Sequence, residues 1–312
     1  MVNEEVPNQY WKDLLAITTK VSSGSEQQNS EFSPMSDENR KWLENMMSEL
    51  AKDNDPSRQL DAILSSLHSY ASDPLKIDEG DRGKIEELTD HLEDILGYAE
   101  ITNKFVDRGG LLLIETFLCQ CEHLSLQCRF AELVLSLTEN NPTTQSLFAK
   151  KGLLTKMMKL LEDPAYSEEF KIKLLGAISG SVRSHIECFE IFCQHCAHQT
   201  LSKIVRSAKN GKLAGKAARV MATIAYTLED SPSHVKLLTS EIVSNFLYVL
   251  QHFTIECADE LNYIGEYVRD FIDVKEISSD QAKEITSLLK AEKRKNTPLS
   301  VADDLLMKFS AL

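Results

Sequence analysis

The chain has 312 residues, 42% of them hydrophobic, with only 12 glycines and 8 prolines, a composition that allows a sizeable core and favours helices over strands. Its net charge of −14 and its sequence pI of about 5.1 repel phosphate backbones, so nucleic acid is not expected as a partner. No apolar run approaches the roughly 18 residues of a membrane span, so no membrane association is expected.

The seven cysteines are expected to be reduced thiols. Their number is odd, and the acidic N-terminal stretch "MVNEEVPNQY" lacks the charged-then-apolar leader of a secreted protein. Disulfide frameworks belong to oxidising compartments. The sequence therefore predicts a cytosolic protein, with the nucleus as a second compartment.

Two segments precede the regular part of the chain. Residues 1–33, which include most of the serine-rich stretch "VSSGSEQQNSEFSP", predict a flexible N-terminal segment. Residues 34–78 predict a helical cap of two helices, the first beginning at Ser36, which two acidic residues follow. The apolar faces of these two helices are predicted to consist of Trp42, Leu43, Met46, Met47 and Leu50, and of Leu60, Ile63, Leu64 and Leu67.

A repeated pattern follows in residues 79–272. In "NPTTQSLFAKKGLLTKMMKLL" (141–161), a glycine interrupts an amphipathic run, which indicates two short helices that meet at a corner. The pattern recurs around four anchors that stand 43, 44 and 45 residues apart, namely Gly109, Gly152, Cys196 and Glu241. Apolar residues occupy the same four offsets from each anchor: Phe105, Ile114, Phe117 and Leu118; Phe148, Met157, Leu160 and Leu161; Phe192, Leu201, Ile204 and Val205; and Leu237, Phe246, Val249 and Leu250.

A longer amphipathic helix is predicted after each pair of short helices. These longer helices are expected at 130–140, 173–182 and 216–228, with equivalents at 84–99 before the first anchor and at 258–272, where the array closes. The period matches that of armadillo and HEAT units. We therefore predict an all-α fold, an armadillo/HEAT-like right-handed superhelical solenoid with about four repeats and flanking helices. Residues 273–312 predict a C-terminal helical tail, interrupted by the polar stretch "EKRKNTPLS" (292–300).

Residues 34–272 resemble the armadillo-type nucleotide exchange factors of heat shock protein 70, the heat shock protein 70-binding protein family. The stretch "PMSDENRKWLENMMSEL" (34–50) is similar to the opening helix of that family, and "LEDILGYAEITNKFVDRGGLLLIETFL" (92–118) is similar to its first repeat. Residues 129–163 and 171–185 are similar to the next one. The stretch "QYWKDLLAITTKVSSG" (9–24) would correspond to the family's flexible segment, which helps to free clients from the chaperone's peptide-binding domain.

The resemblance implies a co-chaperone without catalytic residues, metal or other cofactor. Such a factor embraces one lobe of the chaperone's ATPase domain with its concave face, which accelerates ADP release and thereby promotes client release. It would bind the open state better than the ADP state, so ADP would weaken its binding in return. We expect a monomer, because a solenoid with polar end helices needs no partner copy.

The long helix of each unit lines the concave face in armadillo folds, and its outward positions recur every three or four residues. The predicted partner-binding residues are Asp90, Asp94, Glu132, Ser136, Asn140, Gly176, Gly180, Arg183, Lys216, Arg219 and Thr223. Three of them, Asp94, Asn140 and Arg183, also match the family's sequence pattern. This surface would run from acidic to basic along the array. The alternative interpretation is that these residues form solvated helix faces.

Two motifs offer other chemistry, and neither is specific. The stretch "CFEIFCQHCAHQ" (188–199) holds cysteines and histidines that could bind zinc, but no second pair stands at ribbon spacing and two of its residues are repeat positions. The stretch "NGKLAGKAAR" (210–219) lacks the spacing of a phosphate-binding loop. No histidine stands in a recognisable nucleophile motif, so an enzyme is not expected.

Other binding modules remain as alternatives. The basic residues Lys203, Arg206, Lys209, Lys212, Lys216 and Arg219 would face an acidic partner or form a solvated edge. Importin-type solenoids hold basic peptides on tryptophan ladders, whereas both tryptophans here, Trp11 and Trp42, precede the array. The main alternative is a generic armadillo scaffold or ubiquitin-ligase adaptor with no exchange activity.

Overall fold

The computed structural model describes residues 36–53, 55–97, 99–228, 232–295 and 297–309, and these are helical with short connections and without a β-strand. The chain divides into two units, Met1–Lys52 and Asp53–Leu312. The predicted flexible segment, residues 1–33, and the stretch 9–24 within it lie outside the described residues.

The first unit contains helix α1 (Asp37–Asp53) except for its last residue. It begins where the sequence predicts, because the Ser36 hydroxyl accepts a hydrogen bond from the Asn39 amide at 3.3 Å and two acidic residues follow in the first turn. Two residues of the predicted apolar face, Trp42 and Met47, are exposed.

The second unit opens with α2 (Pro56–Ala71) and α3 (Glu79–Leu96). Asp55 caps α2 by accepting a hydrogen bond from the Ser57 amide at 2.9 Å, and a proline fills the first position, where no backbone donor is needed. The apolar face predicted for this helix is confirmed, since Leu60, Ile63, Leu64 and Leu67 are all buried.

Three repeats follow, each made of two short helices and one longer helix. In chain order these helices are α4 (Ala99–Asp107), α5 (Gly110–Cys119) and α6 (Leu124–Thr138); α7 (Pro142–Lys150), α8 (Leu153–Glu162) and α9 (Glu168–Val182); and α10 (Ile186–Gln194), α11 (Ala197–Ser207) and α12 (Gly211–Tyr226).

The corners between the short helices stand at three of the predicted anchors. Gly109 and Gly152 have φ angles of 87° and 80°, and Cys196 has a φ angle of 53°. This left-handed conformation is readily available to glycine, which has no Cβ, and costs other residues about 1–2 kcal/mol. The sequence therefore predicted the corners correctly, and Cys196 occupies a position where glycine is better suited.

The fourth anchor is not a corner, and this part of the prediction is wrong. Helix α13 (Pro232–Gln251) continues through Glu241. Glutamate is a good helix former, so nothing at this position ends the helix. Leu237, which matches three fully buried phenylalanines in the other repeats, is 57% exposed. The later positions Phe246, Val249 and Leu250 are buried as predicted.

The packed core extends beyond α14 (Ala258–Phe271), the helix that was predicted to close the array. Helix α15 (Ser279–Arg294) packs against α13, and α16 (Ala302–Phe309) packs against α14 and α15. The Lys308 ammonium group donates hydrogen bonds to three carbonyl groups at the end of α14, which fixes the last helix there. The domain divisions at residues 78/79 and 272/273 remain predictions.

The long helices lie side by side in one layer, which we call the ladder: α3, α6, α9, α12 and α14. The short helices cover its other side and bury the repeat positions. At the first repeat, the rings of Phe117 and Phe130 stack with their centres 4.2 Å apart and join α5 to α6. Each helix is stabilised by its neighbours in the stack, as in a helical repeat solenoid.

Candidate partner-binding surface

The predicted partner-binding residues all lie on the ladder helices or directly after them. At the acidic end, Asp90 and Asp94 are exposed on α3. On the next ladder helix, α6, Ser136 is exposed and Glu132 is half-buried. Asn140 is exposed just beyond α6 in a left-handed conformation, with a φ angle of 56°.

At the acidic end, most polar side chains already have partners within the chain. Arg129 of α6 donates to Asp90 at 2.9 Å and forms an ion pair with Glu93, to which the Ser136 hydroxyl also donates. Burial raises the pKa of the Glu93 carboxyl, but the hydrogen bonds from Ser136 and Arg129 outweigh it and lower the pKa. Sequence reasoning missed Glu93, although it lies one helical turn after Asp90.

In the middle of the ladder, ion pairs join successive repeats. Lys173 of α9 pairs with Glu132 of α6, and the hydrogen bond to this carboxylate raises the pKa of Lys173. Arg183 forms an ion pair with Glu139, which occupies the equivalent place one repeat earlier in the chain. Both predicted residues, Glu132 and Arg183, are therefore already engaged in ion pairs between repeats, and a partner would have to share them.

Gly180 does not point outward, so its prediction as an outward position is wrong. It is buried, and a Cβ placed on it would lie 2.8 Å from Leu135 Cδ1 and 2.9 Å from Thr138 Oγ1. Gly180 lies where α9 and α6 are in close contact. Gly176, one turn earlier, is half-buried and its Cβ would make an ordinary contact of 3.5 Å with Leu135.

The structure brings five predicted residues together in one groove of about 240 Å³ at the basic end of the ladder. We call it the cationic groove, and its predicted members are Gly176, Arg183, Lys216, Arg219 and Thr223. Glu139 and Tyr263 also line it. Most of its lining comes from α9 and α12, with Leu135 of α6 on one side and Tyr263 of α14 on the other.

The positively charged side chains of this groove are only partly paired with hydrogen-bond acceptors or carboxylates. Among the described residues, Lys216 has neither an ion pair nor a side-chain hydrogen bond, and its pKa is lowered by burial and by the nearby Arg219. The Nε atom of Arg183 is buried without a hydrogen-bond partner. On α6 and α9, by contrast, Arg129 and Lys173 have carboxylate partners on the preceding ladder helix, α3 and α6 respectively. An anionic group placed in the groove would therefore be favourable.

An aromatic surface adjoins the cationic groove through Tyr263, which lines both. Tyr226 of α12 and Phe271 of α14 meet edge to face at 5.2 Å, and they are 46% and 44% exposed. Tyr267 stacks on Phe271 with the ring centres 5.3 Å apart. Sequence reasoning missed these rings, although Tyr263, Tyr267 and Phe271 recur every four residues on one helix. Exposed aromatic rings beside cations are typical of protein interfaces.

The cysteine-rich stretch is only partly buried: Cys188 of α10 lies in the interior, Cys193 is half-buried, and Cys196, after the helix, is exposed. Burial raises the pKa of the Cys188 and Cys193 thiols to about 11. In the described part of the chain, no helix is long and apolar enough to cross a membrane.

The fold is that of an armadillo-type helical repeat protein. A designed armadillo repeat protein in complex with a (KR)4 peptide superposes with a TM-score of 0.51 and 16% identity, covering 77% of this chain and 98% of that chain. An engineered protein from a structural genomics consortium gives a TM-score of 0.55 and 16% identity, covering 83% of this chain and 100% of that chain.

One curated relative is similar to about half of this chain. This chain is 28% identical over 171 residues to Hsp70-binding protein 1 of Rattus norvegicus, an alignment that covers 52% of this chain and 46% of the relative. The chain thus matches somewhat less than half of that protein's length. No family model matches the chain.

Proposed function

We propose that this chain is a co-chaperone that binds the ATPase domain of heat shock protein 70 and accelerates its release of ADP, so that clients are released. The observation that carries the proposal is the similarity to the rat protein that is named for binding this chaperone, over half of this chain. The chain acts in the cytoplasm, with the nucleus as a second compartment, and as a monomer without catalytic residues or cofactor.

The exchange activity requires only differential binding. A factor that binds the open, nucleotide-free state of the ATPase domain more tightly than the ADP state shifts the population toward the open state. By linkage, bound ADP weakens the factor's own binding by the same ratio. Rebinding of ATP then completes the exchange, and the solenoid needs no chemical step of its own.

The partner binds along the ladder, with the cationic groove as its centre. Lys216 and Arg219 attract carboxylates of the partner, and the aromatic surface around Tyr226 and Phe271 packs beside them. Asp94 and Asn140, which are exposed and have no ion pair among the described residues, contact the partner toward the acidic end.

A scaffold or ubiquitin-ligase adaptor with no exchange activity is the second candidate, favoured by the likeness of the fold to designed armadillo repeat proteins. One of those proteins holds a basic (KR)4 peptide. The cationic groove would repel such a peptide here, because three cations and one carboxylate line it. An acidic partner surface fits the groove better.

The proposal is tested by the release rate of a fluorescent ADP from cytosolic heat shock protein 70, chased with ATP. We expect this chain to accelerate release, and the K216E/R219E variant to lose about tenfold or more of the acceleration. The matched control is K151E/K275E, which reverses two exposed charges away from the groove. Absence of acceleration, with the chaperone competent toward another exchange factor, would favour the scaffold. Acceleration insensitive to K216E/R219E would keep the function and move the site.

A further inference from the structure

A second and larger groove lies on a different set of residues. It has a volume of about 730 Å³ and lies between the connection from α8 to α9, residues 163–167, and the last turns of α11. We call it the outer groove. It shares no lining residue with the cationic groove. Its size falls in the range of ligand-binding pockets.

The floor of the outer groove is apolar. Leu161 of α8, Ile204 of α11 and Leu213 of α12 line it, and all three belong to the hydrophobic core. Pro164 and Ala208 extend the apolar surface toward the rim. Binding of an apolar side chain of a ligand on this floor would therefore be favourable, because it would remove apolar surface from water.

Three ammonium groups surround this floor. Lys171, Lys203 and Lys209 line the groove, and within the described residues none of their side chains has an ion pair or a hydrogen bond. Lys203 and Lys209 belong to the basic stretch that runs from Lys203 to Arg219. In a chain with 48 acidic and 34 basic residues, three free ammonium groups around one groove are a local reversal of charge.

The two carboxylates of the outer groove already have partners. Glu162 accepts a hydrogen bond from the Thr200 hydroxyl, and Glu168 accepts one from the Lys209 backbone amide at 2.8 Å. These contacts tie both carboxylates to α11 and to its end. These donors are neutral, so both carboxylates keep their charge, but the three lysines outnumber them. The ammonium groups have no partner among the described residues and are available to a ligand that carries carboxylates.

We propose that the outer groove binds an acidic peptide segment of a second protein, with an apolar side chain on the Leu161–Ile204–Leu213 floor and carboxylates at the three lysines. A purely apolar ligand would leave the ammonium groups without partners, and a basic ligand would be repelled. The site is independent of the proposed exchange function. It allows the solenoid to hold a second partner while the ladder is occupied.

The test is fluorescence anisotropy with the whole chain and a fluorescein-labelled peptide, EELEELEE. We expect saturable binding that weakens about tenfold in K171Q/K203Q/K209Q, since each exposed ion pair contributes modestly. The matched control K41Q/K151Q/K275Q removes the same charge from exposed positions elsewhere and should bind as the wild type does. The variant A165W fills the groove from an exposed turn position without changing the charge, and it should also weaken binding.

Two further peptides complete the design. QQLQQLQQ keeps the leucines without the carboxylates, and KKLKKLKK reverses the charge; both should bind far more weakly than EELEELEE. The proposal is overturned if EELEELEE does not bind, if both triple variants lose affinity equally, or if A165W leaves binding unchanged. Circular dichroism and thermal unfolding verify that each variant is folded. The triple variant is expected to accelerate ADP release as the wild type does, so failure of this proposal is separable from failure of the exchange function.

Discussion

The guanidinium carbon of Arg219 lies 4.6 Å from the centre of the Tyr263 ring, so a cation of α12 rests on an aromatic face of α14. This contact holds the Arg219 side chain at the junction between the cationic groove and the aromatic surface. A cation–π contact of this kind contributes about 0.5–2 kcal/mol, more when it is removed from water. The arginine is thereby oriented before any partner arrives.

Replacing the ring tests whether this orientation matters for binding. We expect Y263L to weaken binding to the ATPase domain of heat shock protein 70 by about twofold to thirtyfold, as the loss of about 0.5–2 kcal/mol implies. Y263F retains an aromatic face and should bind nearly as the wild type does. Calorimetric titration of the nucleotide-free ATPase domain measures both. Equal losses in Y263L and Y263F would contradict the role of the ring face.

The two glycines of α9 provide a matched pair for the packing of the ladder. Alanine favours a helix by about 1 kcal/mol over glycine at both positions. At Gly176 the added Cβ meets Leu135 at an ordinary 3.5 Å, whereas at Gly180 it lies within 3.0 Å of two side-chain atoms. Overpacking costs about 1–3 kcal/mol. We expect G180A to unfold in urea with a free energy about 1–3 kcal/mol below that of G176A. Equal stability of the two variants would show that α6 moves to accommodate the added Cβ of residue 180 at no cost in free energy.

The corner at Cys196 is expected to be a site of easy stabilisation. Its φ angle of 53° costs about 1–2 kcal/mol for a residue with a Cβ, and the side chain is exposed, so little packing is lost on removal. Glycine is more flexible in the unfolded chain, which offsets part of the gain. C196G should therefore raise the free energy of unfolding by about 0.5–1 kcal/mol, and C196A should not. A thermal melt in which both variants match the wild type would argue against strain at this corner.

The period of the array could be predicted because it is written in local sequence. A left-handed corner requires a glycine or tolerates a small residue, and Gly109, Gly152 and Cys196 follow this rule. At Glu241 the apolar offsets recur but the corner does not, because helix propensity continues α13 through that residue. The spacing of apolar residues alone thus identified a fourth repeat, but it could not show whether a corner divides its helix.

The candidate site was predictable only in part, because it depends on which ladder helices approach each other. Spacing alone placed Gly180 on the outside, whereas the close approach of α6 buries it. Tyr226 and Phe271 lie 45 residues apart and meet only when α12 and α14 pack together. Whether a cation has a carboxylate opposite it, as Lys173 does and Lys216 does not, is likewise decided by the neighbouring helix.

The acidic end of the ladder should make stability depend on pH through Glu93. Its pKa is lowered in the folded chain, where burial is outweighed by hydrogen bonds from Ser136 and Arg129. A carboxyl with a lowered folded pKa stabilises the fold above its unfolded pKa, near 4.3, and this contribution is lost as pH falls through the folded value. We expect E93Q to be less stable than the wild type at pH 7, with the difference shrinking below about pH 4.

D94N changes an exposed carboxyl with no ion pair among the described residues and serves as the control. Urea unfolding of the three proteins between pH 7 and pH 3 makes the comparison, and a difference between E93Q and the wild type that stays constant across this range would contradict the proposed coupling.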